Sequence, residues 1–155
     1  MKKKILKYGM IILISIQVIP YGRQHNNPPV LSEPNWNNTD TKRLFFQLCK
    51  DCHSHETEWP WYSYVAPASW LVQRDVNEGR KHFNVSMWGE QKENEGEEAA
   101  EELRKGDMPP WFYYLPHSDK RLLKGDKEKL VDGLVKTFGD ENGHKDSREE
   151  DEDFD

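Results

Sequence analysis

Cysteine is scarce in this chain: its 155 residues hold two, Cys49 and Cys52. No second Cys-x2-Cys pair exists, so a zinc site built from two such pairs is excluded. No cysteine stands at the end of the apolar start, so lipid attachment at a lipobox thiol is excluded too. A basic surplus is also missing. Lys and Arg number 22 against 28 Asp and Glu, a formal charge of −6, which gives no electrostatic reason to expect nucleic acid as a partner. No stretch alternates apolar and polar residues with period two, and no internal repeat is visible, so neither a sheet nor a solenoid is expected. Apolar residues make up only 35% of the chain. A small domain with so thin a core needs a covalent or metal staple.

One long uncharged run is present. Lys2, Lys3, Lys4 and Lys7 precede the 12 residues Tyr8 to Ile19. A positive start followed by such a run reads as an export signal over residues 1–20. It is short against the roughly 20 residues of a bilayer-spanning helix. Snorkelling lysines extend its reach. No A-x-A cleavage pattern follows, so an uncleaved anchor is favoured over a cleaved signal peptide. The lysines place the N-terminus inside and the remainder outside.

Removing residues 1–20 takes away four lysines and no acid, leaving −10. Much of that surplus falls in the tail. Residues 140–155 hold nine acids against Lys145 and Arg148, which predicts a solvated, disordered tail over 139–155. Residues 21–38 carry Pro28, Pro29, Pro34 and many asparagines, and read as an extended linker. Between them, residues 39–138 read as one small helical domain. A first helix starts at Thr39 or Asp40 as N-cap, carries Leu44, Phe45 and Leu48 on one side, and ends at Cys49. A second spans 68–82. A third spans 95–105, with Gly106 as a left-handed stop. A fourth spans 126–138, with Leu130, Val131, Leu134, Val135 and Phe138 on one face and Gly139 at its end.

The densest chemistry lies in Cys49-Lys50-Asp51-Cys52-His53. Two thiols at this spacing, followed at once by an imidazole, form a c-type haem attachment motif. One helical turn holds both sulfurs on one side for thioether formation, and His53 folds under the macrocycle as the iron ligand. A redox dithiol and a half zinc site are the competing readings.

A second constellation is Gly106-Asp107-Met108-Pro109-Pro110. A helix stop, a thioether and two prolines make a stiff loop that holds one sulfur in place. Met108 is the expected second axial ligand, and a thioether opposite histidine raises the haem potential. His117 is the best alternative. Met87 reads as core, His55 lies too close to His53 to reach the other face, His82 suits a helix end, and His25 and His144 fall in the linker and tail.

The runs Cys49–Ser63, Val65–Leu71 and Asp75–Arg80, together with the Met108-Pro109-Pro110 loop and Pro20-Tyr21-Gly22-Arg23, resemble the small haem-binding domain family of exported bacterial c-type cytochromes. The likeness covers about residues 20–138. It implies an all-α, cytochrome-c-like fold, with haem c attached at Cys49 and Cys52 and ligated by His53 and Met108. Gly133 departs from the pattern, standing where an aromatic is expected; it either weakens the packing of the last helix or allows a close helix crossing.

The expected function is therefore one-electron transfer by a membrane-tethered, periplasmic mono-haem protein that serves redox partner proteins and is not an enzyme. Trp59, Trp61 and Trp70 are expected to wall the haem, and Arg74 or an indole to reach a propionate. A peroxidase or gas sensor with a labile distal ligand, and a thiol–disulfide oxidoreductase, are the alternatives.

Overall fold

The structure, a computed structural model, describes residues 1–139. The acidic tail, apart from Gly139, and His144 lie outside the described residues. Among the described residues there is no strand; Ser32 and Met87 form one isolated parallel bridge. The helices are α1 (Lys2–Ser15), α2 (Thr39–Leu48), α3 (Lys50–His53), α4 (Ala68–His82), α5 (Ala99–Lys105) and α6 (Lys124–Phe138), with short 3₁₀ turns between them. The all-helical expectation is met.

Helix ends follow local chemistry. α2 is capped one residue earlier than expected, by Asn38, whose extended backbone lets its side chain accept from the Thr41 N–H at 2.8 Å. α4 runs over the residues its apolar pattern marks. α5 starts at Ala99 because Gly96–Glu98 form a 3₁₀ turn first. Gly106 ends it at φ 86°, a left-handed conformation that glycine adopts without cost.

The core gathers Leu44, Phe45 and Leu48 from α2, Phe83 and Val85 after α4, Ala100 and Leu103 from α5, and Leu130, Val131 and Leu134 from α6. Burying each large side chain contributes about 1.5–3 kcal/mol. Trp36 packs on Phe45 at 5.1 Å and Trp88 stacks on Phe138 at 4.5 Å. Helices α2 and α6 cross closely at Gly133, where an added Cβ would sit 2.1 Å from Thr41 Oγ1. The absent aromatic is thus a requirement of the crossing.

α1 stands apart. Its apolar side chains are exposed, among them Ile5, Met10, Ile12 and Ile14. Its 14 residues rise about 21 Å, below the roughly 30 Å of a bilayer's hydrocarbon layer. Among the described residues no helix is long and apolar enough to cross a membrane. Beyond α1, Gln17 donates to the Ala66 carbonyl at 2.8 Å and accepts from its N–H at 3.0 Å. The segment 21–38 is extended as expected, but it is fastened along the domain. Leu31 N–H donates to Ser86 O at 2.9 Å. The Arg80 guanidinium joins Asn26 O and Asn27 Oδ1 to Ser54 O and Thr57 Oγ1, all at 2.8–3.0 Å.

Candidate functional site

The chain bends at Cys49, the last cap of α2, and restarts as the single turn α3. The N–H groups of Cys52 and His53 donate to the Cys49 carbonyl at 3.2 and 3.0 Å. Both thiols and the imidazole are thereby held on one short turn. α4 presses against the back of that turn at Gly79, where a Cβ would fall 2.9 Å from the Cys52 Cβ and 2.6 Å from its carbonyl oxygen.

Cys49, Cys52, His53 and Met108 all line one cavity of about 460 Å³. Its apolar walls come from Phe45, Leu48, Phe83, Leu103, Phe112 and Leu134. The volume falls within the roughly 300–1,000 Å³ of small-molecule and cofactor sites. Met108 arrives from the loop after α5, far in sequence from the thiols. It is 45% exposed, more open than the three residues of the turn.

His53 is held by its Nδ1 edge. Its Nδ1 lies 3.2 Å from the Phe83 carbonyl oxygen, which can only accept, so Nδ1 carries the proton and Nε2 keeps its lone pair. The ring stacks on Phe83 at 4.1 Å with 14° between planes. Burial pushes the imidazole down to about 4, so it is neutral at physiological pH, although the Phe83 and Gly79 carbonyls offset part of that shift. Both thiols are pushed up to about 12, chiefly by burial and then by neighbouring negative charge. They are protonated and paired in no disulfide.

Charge around the cavity is one-sided. Asp75, Glu78, Glu95, Glu98 and Glu102 line it, and no lysine or arginine does. His82, also in the lining, is paired through Nδ1 with Glu95. Burial raises the Asp75 carboxyl, and the Arg74 charge partly counters it.

The structure places the expected aromatic wall elsewhere. Trp59, Trp61, Trp70 and Arg74 are not among the lining residues. The turn after His53 carries Trp59 away to stack on His25 at 4.5 Å, and Trp61 is 79% exposed. The Trp70 backbone N–H, with the Ser69 carbonyl, abuts Gly22 of the N-terminal segment. Arg74 is exposed beside Asp75. Phe45, Phe83, Phe112 and Tyr113 line the cavity in their stead. His117 does not line it; its Nε2 lies 2.9 Å from the Tyr62 hydroxyl.

One group absent from the expectations stands at the centre. Asp51, between the two cysteines, is buried and its carboxylate sits in a polar knot. Oδ2 accepts from Lys120 Nζ at 2.5 Å and from the Tyr113 hydroxyl at 3.1 Å, and Oδ1 accepts from Glu58 N–H at 3.0 Å. An acid at this position of the motif is visible in sequence. Its Tyr113 and Lys120 partners, more than 60 residues away, are not.

Two thiols, an imidazole with a free Nε2 and a thioether on one apolar cavity match the donor set of a covalently held haem. Among the described residues no group of three or more His, Cys, Asp or Glu side chains is placed to hold a metal ion alone. The model of a family described as haem-binding domain matches residues 11–136. No curated protein and no solved structure matches the chain.

Proposed function

The chain belongs to the haem-binding domain family and takes a haem cofactor, and on that premise we propose that it holds one haem c covalently and passes single electrons. The observation that carries this reading is the convergence of Cys49, Cys52, His53 and Met108 on one cavity from two distant segments. Cys49 and Cys52 supply thioether sulfurs, His53 Nε2 the proximal ligand and Met108 the distal one. Bound haem supplies a one-electron couple between ferrous and ferric iron. The protein contributes orientation and environment. Phe83 fixes the imidazole, the apolar walls exclude water, and the acidic lining favours the more positive oxidation state. Ligation by both His53 and Met108 would leave the iron no open position for a substrate, which supports reading the protein as a carrier rather than an enzyme.

The geometry supports Met108 over His117, whose ring nitrogen is engaged by Tyr62 outside the cavity. It also disfavours a thiol–disulfide oxidoreductase, since thiols pushed up to about 12 are poor nucleophiles. The lysine-led helix α1 is the membrane attachment in this reading, with snorkelling lysines compensating for its short length. The domain then faces the periplasm and meets redox partner proteins there.

Absorption spectra of periplasmically expressed protein test the reading. Haem that stays with the polypeptide after denaturation, and is lost in Cys49→Ser/Cys52→Ser, is the expected result. The ferric form should show the weak far-red band of thioether-ligated iron, absent in Met108→Ala. Rapid carbon monoxide binding by the ferrous wild type points instead to a gas sensor or peroxidase, and a haem-free dithiol protein ends the proposal.

A further inference from the structure

We propose that Asp51 is a positioning residue for Met108, acting through Tyr113, so that the segment between the two thiols sets the placement of the distal sulfur. The inference rests on the reading of Met108 as the distal ligand.

The Met108 loop is held at both ends. On its N-terminal side, the N–H groups of Gly106, Asp107 and Met108 all point at the Glu102 carbonyl, at 3.1, 3.1 and 3.3 Å. On its C-terminal side, Pro109 and Pro110 have fixed φ and no N–H, so they couple the loop stiffly to the next element. That element is a 3₁₀ turn over Trp111–Tyr114, closed by Tyr113 N–H on Pro110 O at 2.9 Å. The Tyr113 hydroxyl then donates to Asp51 Oδ2.

Asp51 is well placed to be the fixed end. Its side chain is 10% exposed, and it is anchored by Lys120 Nζ and by Glu58 N–H. Its own carbonyl accepts from Thr57 Oγ1 at 2.7 Å. A hydrogen bond to a buried carboxylate is stronger than a neutral one. The Tyr113 ring is gripped again by His117, stacked at 4.7 Å, which in turn contacts Tyr62. The segment Cys49–Cys52 is thus tied, through Asp51 and Tyr113, to the turn that follows the Met108 loop.

The test uses the full-length haem-loaded protein and its Tyr113→Phe and Asp51→Asn variants, with Met108→Ala as reference. Tyr113→Phe keeps the ring and deletes one hydrogen bond, so it folds even if Asp51→Asn does not. The expected result is unchanged haem content, with the far-red ferric band weakened. Ferrous carbon monoxide binding and amide exchange over residues 106–115 should each be about tenfold faster, the factor expected from losing one hydrogen bond to a charged group. A purely structural role lowers stability without moving the band or the carbon monoxide rate. A band that Met108→Ala removes but Tyr113→Phe and Asp51→Asn leave intact overturns the positioning role alone. A wild-type spectrum with no such band, or one that Met108→Ala leaves intact, overturns the ligand assignment and the positioning role with it.

Discussion

His53 and Phe83 meet twice: Nδ1 points at the Phe83 carbonyl at 3.2 Å, and the two rings stack at 4.1 Å. One residue thereby sets both the tautomer and the tilt of the imidazole. Phe83 also belongs to the core, against Phe45 and Phe138. Phe83→Ala should cost about 3–5 kcal/mol by urea denaturation, as for other buried aromatic truncations. A loss under about 1 kcal/mol would show that the ring is not packed as described.

The contact between Gly133 and Thr41 predicts a compensating pair. Gly133→Ala gains helix propensity of about 1 kcal/mol but drives a methyl into Thr41. The expected net loss is about 1–3 kcal/mol, as for overpacked cores. Thr41→Ala in the same chain should recover part of it, because Oγ1 and Cγ2 are the nearest atoms. A non-additive double-mutant cycle in thermal unfolding is the signature. Strict additivity would argue against the close crossing.

The haem-free protein should be most stable between about pH 6.5 and 9, the ordinary values of histidine and cysteine. His53 is pushed down to about 4, so its contribution is present above 6.5 and is lost as pH falls towards 4. The thiols are pushed up to about 12, so theirs is present below 9 and is lost as pH rises towards 12. Denaturant midpoints across pH check both limbs. His53→Gln should flatten the acid limb relative to wild type. In the native haem-free state at pH 8, iodoacetamide should alkylate the cysteines roughly 10²–10³ times more slowly than in urea, in line with the thiolate fraction. Equal rates would remove the argument against a dithiol function.

The five carboxylates around the cavity should hold the midpoint potential down. Glu78→Gln or Glu102→Gln should each raise it by roughly 20–60 mV, from about 0.5–1.5 kcal/mol of interaction at roughly 10 Å. The shift should shrink at high salt. A fall in potential on neutralising either acid would contradict an influence of the acidic lining on the haem.

How far the sequence reveals the structure differs by element. α4 is legible because its amphipathic pattern and the preceding Pro67 mark both face and start. The turn that carries Cys49, Cys52 and His53 is legible because the three fall within five consecutive residues. The cavity wall is not. Trp59 and Trp61 lie near His53 in sequence, but the turn at Ser54–Pro60 directs them outward. Phe83 and Phe112 reach the cavity only through the packing of α4 and the return of the chain after Met108. The Asp51 knot depends on Tyr113 and Lys120, whose approach no local pattern encodes.

The segment 21–38 sets how freely the domain moves relative to α1. A free coil of its 18 residues would let the domain roam roughly 25 Å from the end of α1. Stitched down by Arg80, His55 and Ser86, it offers no such leash. The cavity mouth therefore keeps a fixed attitude to the end of α1, where an open coil would leave the two independent.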